Sequence, residues 1–125
     1  MIISSINQNF GANIPKTKAL SNITFAINYH ESKDYAKRFI TALNEMMPDE
    51  SDKIIFTKCE YIKDKKSFKW GATIIHQGKV KVFTCKHLLN MNDDGYTKAC
   101  HVADYVADML SKISDKKQFF YPSLG

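Results

Sequence analysis

Residues 53–117 decide the fold, because they divide into three strand-like segments and one helical segment. These segments are KIIFTKCEYI (53–62), SFKWGATIIHQG (67–78), KVKVFTCKHL (79–88) and DDGYTKACHVADYVADMLSKISDKK (93–117). In the second segment Phe68, Trp70, Ala72 and Ile74 alternate with other residues, which is the period of a half-buried strand. The first segment has apolar residues on both faces, which predicts an inner strand.

Two turns join the three predicted strands. Residues 63–66, Lys-Asp-Lys-Lys, form a hairpin tip with three cations, and Gly78 can take the positive φ of a turn before the third strand.

The third strand is predicted to point Val80 and Val82 inward, with Lys79, Lys81 and Phe83 outward. Lysines at alternate strand positions suit a phosphate-binding sheet face. They also keep a solvated or edge strand from pairing with other chains.

The last segment is predicted to be a helix that Asp93 or Asp94 caps. Its three alanines at steps of four allow the helix to lie close to a sheet. The predicted buried stripe is Tyr96, Ala99, Cys100, Ala103, Val106, Ala107, Leu110 and Ile113. The opposite side is predicted to carry Lys98, His101, Asp104, Tyr105, Asp108 and Lys112, and the basic end of the helix Lys116 and Lys117.

Two further elements are predicted before these strands. Residues 21–30, SNITFAINYH, alternate like a half-buried strand, and the next segment has helical spacing from a cap at Ser32 to a stop at Pro48. The prediction is an α+β fold of order β-α-β-β-β-α, with one four-stranded sheet and two helices packed on one face. Residues 1–20 are predicted to be an N-terminal extension, 21–117 the domain, and 118–125 a short aromatic tail.

The composition indicates one domain with a modest preference for polyanions. The chain has 125 residues, 44% of them hydrophobic, which is enough for one buried core. Eighteen Lys and Arg against thirteen Asp and Glu give a net charge of +5, which favours a partner such as nucleic acid. The N-terminal MIISSINQNF lacks a basic lead and a sustained apolar run, so we expect no signal peptide, no membrane segment and a cytoplasmic protein.

No sequence pattern predicts catalysis or a cofactor. The cysteines, Cys59, Cys85 and Cys100, form no C-x-x-C pair, so we expect free thiols rather than a metal site. A Cys/His nucleophilic pair is conceivable where Cys85 neighbours His87, or Cys100 neighbours His101, but no third group orients either pair. No Gly-rich phosphate loop occurs. We therefore expect a protein that is not an enzyme and that uses no metal, cofactor or small-molecule substrate.

Several short motifs follow one another on the predicted elements. The closing helix carries Asp94-Gly95-Tyr96, Asp104, Leu110, Lys112 and Asp115-Lys116. The upstream pieces are Asn22-Ile23-Thr24, Phe39-Ile40-Thr41-Ala42, Thr57-Lys58-Cys59-Glu60, and Ala72-Thr73-Ile74 followed by Gly78. Together, over residues 21–117, they resemble the ribosome hibernation-promoting factor family in its short, single-domain form.

The resemblance implies a non-catalytic protein, monomeric off the ribosome, that occupies the decoding channel of the small ribosomal subunit and inhibits translation. Recognition would then depend on the shape and phosphates of the rRNA rather than on base sequence. The resemblance assigns rRNA contacts to Lys58, Lys112 and Lys116. Charge and placement alone add Lys37, Arg38, Lys63, Lys65, Lys66, Lys79, Lys81 and Lys117.

Two other interpretations fit parts of the sequence. Helix, three strands and helix is also the order of double-stranded-RNA-binding domains, whose last helix has similarly spaced alanines. Asp93 and Asp94 stand where those domains have a basic cluster, and the predicted strand at residues 21–30 has no place in them. The second alternative is a protein-binding inhibitor or assembly module that uses residues 1–20 or the QFFYPSLG tail.

Overall fold

Three helices and a four-stranded antiparallel sheet form the fold in a computed structural model, which describes residues 13–47, 49–114 and 124. The helices are α1 (Lys18–Asn28), α2 (Tyr35–Met46) and α3 (Gly95–Ile113). The strands are β1 (Lys53–Ile62), β2 (Ser67–His76), β3 (Lys79–Thr84) and β4 (Leu89–Asn90), and a 3-10 turn (Lys63–Lys65) follows β1. The predicted α+β class is confirmed, although two helices rather than a strand and a helix precede β1.

β2 is the central strand of the sheet. It pairs with β1 on one side, and on the other side with β3 and then with the two-residue β4. The turn between β2 and β3 consists of Gln77 and Gly78, whose φ angles of 51° and 80° are those of a type I′ hairpin. Both predicted turns, at residues 63–66 and at Gly78, are confirmed.

A bulge explains why β1 has apolar residues on both faces. The pairing of β1 with β2 shifts between Phe56 and Lys58, so Thr57 is an extra residue in the strand. The alternation changes by one position there, and Ile54, Phe56 and Cys59 are all buried. The prediction of an inner strand is wrong, because β1 lies at an edge of the sheet.

The segment before α1, together with α1 itself, covers the outer edge of β1. The backbone oxygen of Asn13 accepts a hydrogen bond from the N–H of Ile54 at 2.8 Å. The side chains of Thr17 and Asn22 donate to two β1 carbonyls at 2.7 and 3.4 Å. The part of the predicted extension that the structure describes, residues 13–20, therefore belongs to the domain.

The predicted strand over residues 21–30 is wrong, because most of this segment lies in helix α1. The buried residues of α1 are Ala19, Leu20, Ile23, Ala26 and Ile27, three and four apart as on one helical face. The alternating residue Phe25 points into solvent instead and is 61% exposed. Thr17 is the N-cap, and its side chain accepts a hydrogen bond from the N–H of Leu20 at 3.1 Å.

Helix α2 starts at a cap other than the predicted Ser32. The N-cap is Asp34, whose carboxylate accepts hydrogen bonds from the side chain of Asn28 at 2.8 Å and from the N–H of Lys37 at 2.9 Å. These two hydrogen bonds lower the pKa of Asp34.

All three helices contact the sheet or one another on its buried side. α1 packs against β1, and α3 packs against β2 and β3. α2 packs against α1 and α3 and places the ring of Phe39 5.9 Å from that of Phe56 on β1. The helices therefore share one face, as predicted, with three of them in place of two. No helix in the described ranges is long and apolar enough to cross a bilayer.

β3 turns its valines away from the core, contrary to the prediction. Phe83 pairs with Ala72, and partners that face each other across two strands share a side of the sheet. Phe83 and Lys81 therefore lie on the helix side, where Phe83 is buried and the lysine is exposed. Val80 and Val82 lie on the open face and are 62% and 70% exposed.

Two polar contacts join the end of α1 to the start of α3. The ammonium of Lys98 donates to the backbone oxygen of Ala26 at 2.6 Å, and the carboxylate of Glu31 accepts from the N–H of Gly95 at 2.8 Å. The oxygen of Ala26 lies in the last turn of α1 and the N–H of Gly95 at the start of α3, so neither has a partner within its helix. The ammonium of Lys98 and the carboxylate of Glu31 carry the charges that the helix dipole favours at these two ends. The prediction that Lys98 lies on the solvent side of the helix is wrong, because Lys98 is only 1% exposed. This burial lowers the pKa of its ammonium group.

We predict that Lys98→Met lowers the free energy of unfolding by about 1 to 3 kcal/mol, the usual cost of an unpaired buried hydrogen-bonding group. Methionine is also long and unbranched, so the loss comes chiefly from the contact with Ala26. Urea unfolding at pH 7 measures the change. Lys112→Met, at an exposed lysine of the same helix, is the matched control and should change stability by less than about 0.5 kcal/mol.

The difference in unfolding free energy between the native chain and Lys98→Met should change with pH in one direction. Because the pKa of Lys98 is lowered in the folded state, the unfolded chain binds more protons between that pKa and the ordinary value of 10.5. The stability of the native chain relative to Lys98→Met should therefore rise as the pH rises through this window. A fall would show that the neighbouring carboxylates outweigh the effect of burial.

Candidate nucleic-acid interface

An aromatic groove lies beside the turn between β1 and β2. Its lining residues are Phe25, Tyr29, Tyr61, Lys66, Phe68, Met91 and Asn92, and it has a volume of about 360 Å³. Phe25, Tyr29 and Tyr61 are 61%, 42% and 51% exposed. Three large aromatic rings therefore meet solvent at one place.

Regular secondary structure holds the rings of the aromatic groove. Phe25 and Tyr29 are four residues apart on α1, so they share a face of the helix, with ring centroids 5.5 Å apart. Tyr61 pairs with Phe68 across β1 and β2, with ring centroids 5.1 Å apart. The two walls are thus fixed by a helix on one side and a hairpin on the other.

Three exposed lysines, Lys63, Lys65 and Lys66, lie in the turn next to the groove, and we call residues 63–66 the lysine turn. Lys66 has φ and ψ of 47°, a left-handed conformation that costs an L-residue roughly 1 to 2 kcal/mol. Its N–H donates to the backbone oxygen of Lys63 at 3.2 Å, and its own oxygen accepts from the N–H of Met91 at 3.1 Å. These bonds hold the backbone at the position from which the Lys66 side chain lines the groove.

This arrangement has the chemistry of a site for single-stranded nucleic acid. Exposed aromatic faces stack on unpaired bases, and lysines beside them neutralise the phosphates that link the bases. The lysine turn contains one acidic residue, Asp64, against its three lysines, so it is cationic.

Two of the predicted RNA-contacting lysines, Lys79 and Lys81, lie at the far end of the sheet from the lysine turn. β2 has ten residues between the two turns, and a strand rises about 3.3 Å per residue, so the ends are roughly 30 Å apart. Lys58 is half-buried and lies on the open face of the sheet. The structure therefore does not join these three lysines to the lysine turn in one patch.

Lys112 is exposed on α3 and forms an ion pair with Asp108 at 3.3 Å. The carboxylate beside it weakens its attraction for a phosphate. Lys116 and Lys117, the other predicted contacts at this end of α3, lie outside the described residues, as do residues 1–12.

Lys37 and Arg38 lie in the first turn of α2. The guanidinium of Arg38 lies 5.5 Å from the centre of the Tyr35 ring and donates to the backbone oxygen of Leu124 at 3.1 Å. Leu124 is buried, so this residue of the predicted aromatic tail packs on the domain. Lys37 lines a second cavity, of about 370 Å³, together with the Asp34 carboxylate, which makes it a poorer phosphate site than the lysine turn.

One thiol lies next to a histidine, in a pairing that differs from those predicted. Cys85 Sγ and His101 Nε2 are 3.9 Å apart, and the indole N–H of Trp70 donates to the same Nε2 at 3.2 Å. Since an indole N–H only donates, this nitrogen carries the lone pair. Burial raises the pKa of Cys85 and lowers that of His101, and it raises the pKa of Cys59 to about 12. Nucleophilic cysteines have lowered thiol pKa values, so we interpret these contacts as structural.

A network of the buried Asp52 and His76 with the half-buried Ser114 has the atom order of a hydrolase triad. Asp52 Oδ2 lies 2.7 Å from His76 Nδ1, and His76 Nε2 lies 3.1 Å from Ser114 Oγ. The second carboxylate oxygen accepts from the N–H of Gln77 at 3.1 Å. Ser114, however, follows the C-terminal end of α3, where the helix dipole is negative and opposes a developing oxyanion. We interpret the network as a clamp that joins the residue before β1, the end of β2 with its turn, and the end of α3.

Within the described residues, no group of three or more His, Cys, Asp or Glu side chains could hold a metal ion. The three cysteines are free thiols, of which Cys59 and Cys85 are buried and Cys100 is half-buried.

The structure agrees with one feature of a double-stranded-RNA-binding domain and disagrees with another. α2, the three long strands and α3 do follow the order helix, three strands, helix, and the strand predicted ahead of them is absent from residues 21–30. The start of α3, however, exposes Asp93 and Asp94, while Lys98 is buried. This end of α3 would repel RNA phosphates, so the structure does not favour that alternative.

No protein-family model, curated protein or solved structure matches the chain. The resemblance to hibernation-promoting factors remains a hypothesis, and one of its pieces, Asn22-Ile23-Thr24 as an opening strand, lies in a helix. Two other motif residues have structural roles. Asp94 caps α3 by accepting the N–H of Thr97 at 2.7 Å, and Leu110 is buried.

The predicted RNA-contacting residues contain none of the aromatic rings of the groove. The signal that would reveal them is the pair Phe25 and Tyr29 at a spacing of four, which places both rings together only if the segment is helical. Ile23, Phe25 and Ile27 occupy every second position, which favours a strand instead, in which Phe25 would belong to the core.

We predict that Asp52→Asn lowers the free energy of unfolding by about 1 to 3 kcal/mol, because it weakens a buried hydrogen-bonded pair. Ser114→Ala, at the half-buried end of the network, should cost about 0.5 to 1.5 kcal/mol. Urea unfolding measures both changes. Ser114 should also fail to react with a fluorophosphonate probe, and labelling that disappears in Ser114→Ala would contradict the structural interpretation.

Proposed function

We propose that the protein is a non-catalytic RNA-binding protein whose aromatic groove holds a short single-stranded segment beside the lysine turn. One observation carries the proposal: three exposed rings and three exposed lysines lie side by side at one end of the molecule. The net charge of +5 supports a polyanionic ligand.

The two parts of the site contribute different energies. Each base stacked on an aromatic ring contributes about 1 to 3 kcal/mol, as judged from alanine substitutions, and stacking tolerates any base. Phosphate contacts add an electrostatic attraction that weakens with salt, with a slope of log affinity against log salt of roughly −0.7 per contact on single strands. Three lysines would give a slope of about −2. The site should therefore bind flexible, single-stranded RNA with little preference for its base sequence.

We further propose that the RNA target is rRNA of the small ribosomal subunit and that the bound protein inhibits translation. This target rests on the resemblance in residues 57–60, 72–78 and 94–112, not on the groove. Lys58 and Lys112 would then make separate ribosome contacts, since neither lies in the groove or the lysine turn.

We predict that Tyr29→Ala weakens binding of a fluorescent twelve-residue oligouridine by about 5- to 100-fold, as expected for one lost stacking interaction. Fluorescence anisotropy at low salt measures the affinity. Tyr96→Ala is a matched control, because Tyr96 has the same exposure, 42%, and lies outside the groove. An equal loss of affinity in both variants would show that the aromatic groove is not the binding site.

Lys66→Gly tests the lysine turn in the same assay. Glycine adopts the left-handed conformation of residue 66 without steric cost, so stability should change by less than about 1 kcal/mol. Binding should weaken, and the salt slope should become shallower by about 0.7. Unchanged affinity and slope would exclude Lys66 from the site.

Co-sedimentation with small ribosomal subunits tests the proposed target. We expect the native chain to pellet with the subunits at low salt and to be released as salt increases. Tyr29→Ala should reduce the bound fraction, because it removes one ring of the aromatic groove. Binding of oligouridine without binding of subunits would keep the RNA-binding proposal and remove the ribosomal target.

A further inference from the structure

The two edges of the sheet differ in how they are covered. The outer edge of β1 is capped by Asn13, Thr17 and Asn22. Among the described residues no strand pairs with the outer edge of β3, and five of its six residues, all but Phe83, are exposed. An open edge presents backbone N–H and C=O groups that an added strand can pair with.

The register of the β2–β3 hairpin shows which residues present these groups. His76 and Lys79 flank the two-residue turn, and such a pair exchanges both of its backbone hydrogen bonds. Hydrogen-bonded and non-hydrogen-bonded pairs alternate along an antiparallel ladder. Lys81 and Phe83 therefore bond to β2, and Val80, Val82 and Thr84 direct their N–H and C=O groups to the outer edge. The N–H of Cys85, which donates to Trp70 at 2.8 Å, fits this alternation.

The two faces beside this edge have different chemistry. Val80 and Val82 are exposed on the open face, next to the partly buried Ile75. Lys79 and Lys81 are exposed on the opposite, helix-side face. A strand added to β3 would thus meet apolar side chains on one face and cationic side chains on the other.

We propose that the outer edge of β3 binds an extended segment of another protein in which acidic and apolar residues alternate. Such a segment would pair its backbone with Val80, Val82 and Thr84, as in strand addition to a sheet edge. Its apolar side chains would cover the two valines, and its acidic side chains would lie opposite Lys81 and Lys79. The proposal concerns a surface roughly 30 Å from the lysine turn and does not depend on RNA binding.

Charge complementarity favours this partner over a second copy of the chain. Two β3 strands paired about Lys81 would place two lysines opposite each other, which is destabilising in a sheet. Lysines on an edge strand generally discourage pairing with identical chains. An acidic strand turns the same lysines into favourable cross-strand partners.

Amide hydrogen exchange measured by NMR on the full chain tests the proposal. The probe is a blocked eight-residue peptide that alternates Glu and Val, and the matched control alternates Lys and Val. We expect the Glu peptide to slow exchange at Val80, Val82 and Thr84 at least about threefold more than the Lys peptide does. The amides of Lys81 and Phe83, which bond to β2, should be protected with or without peptide.

Two variants separate strand addition from non-specific charge attraction. Val82→Pro removes one outward N–H and leaves the bonds to β2 in place, so it should abolish peptide binding while the protein stays folded. Lys81→Glu should weaken binding of the Glu peptide by roughly 2- to 5-fold, which is the range of one cross-strand charge pair. The same variant should bind the Lys peptide more tightly.

Several outcomes would overturn the proposal. Equal binding of both peptides, no binding of either, or unchanged binding by Val82→Pro would each exclude an acidic strand at this edge. Protection of Val80, Val82 and Thr84 without peptide would show another occupant. That occupant is a second copy if protection grows with protein concentration, and the chain itself if it does not.

Discussion

The buried contact between Lys98 and the carbonyl of Ala26 sets how α1 and α3 lie relative to each other. It fixes the end of α1 to the start of α3, and the Glu31 carboxylate on Gly95 closes the same junction from the other side. A Cβ at position 95 would lie 2.7 Å from Glu31 Cγ, so the junction also requires a glycine there. Because α1 carries one wall of the aromatic groove, the geometry of the groove depends on this junction.

The sheet and the last helix could be predicted from the sequence because their signals are local. Gly78 marks a turn, and the alternation in β2 and the Asp94 cap each need only a few neighbouring residues. Helix α1 could not be predicted in the same way, because Ile23 and Ile27 satisfy both the strand period and the helical one, and Phe25 between them completes the alternation of a strand. The helical face is complete only with Ala19 and Leu20, which precede residues 21–30.

Other errors came from contacts between residues distant in sequence. The direction of Val80 and Val82 depends on the register with β2, and the burial of Lys98 depends on a carbonyl 72 residues away. The candidate site shows the same division. The lysines of residues 63–66 were predicted from charge at a hairpin tip, while the rings beside them come from α1, β1 and β2. A cluster of charges can be predicted from neighbouring residues in the sequence. The meeting of rings from three separate elements cannot, because it depends on the fold.

The position of the single tryptophan has a practical consequence. Trp70 is fully buried and bonded to His101, whereas the rings of the aromatic groove are Phe and Tyr. Excitation at wavelengths that tryptophan absorbs and tyrosine does not selects Trp70, so this fluorescence follows the integrity of the core. The chain thus carries a reporter of folding that is separate from the rings of the groove, without any added label.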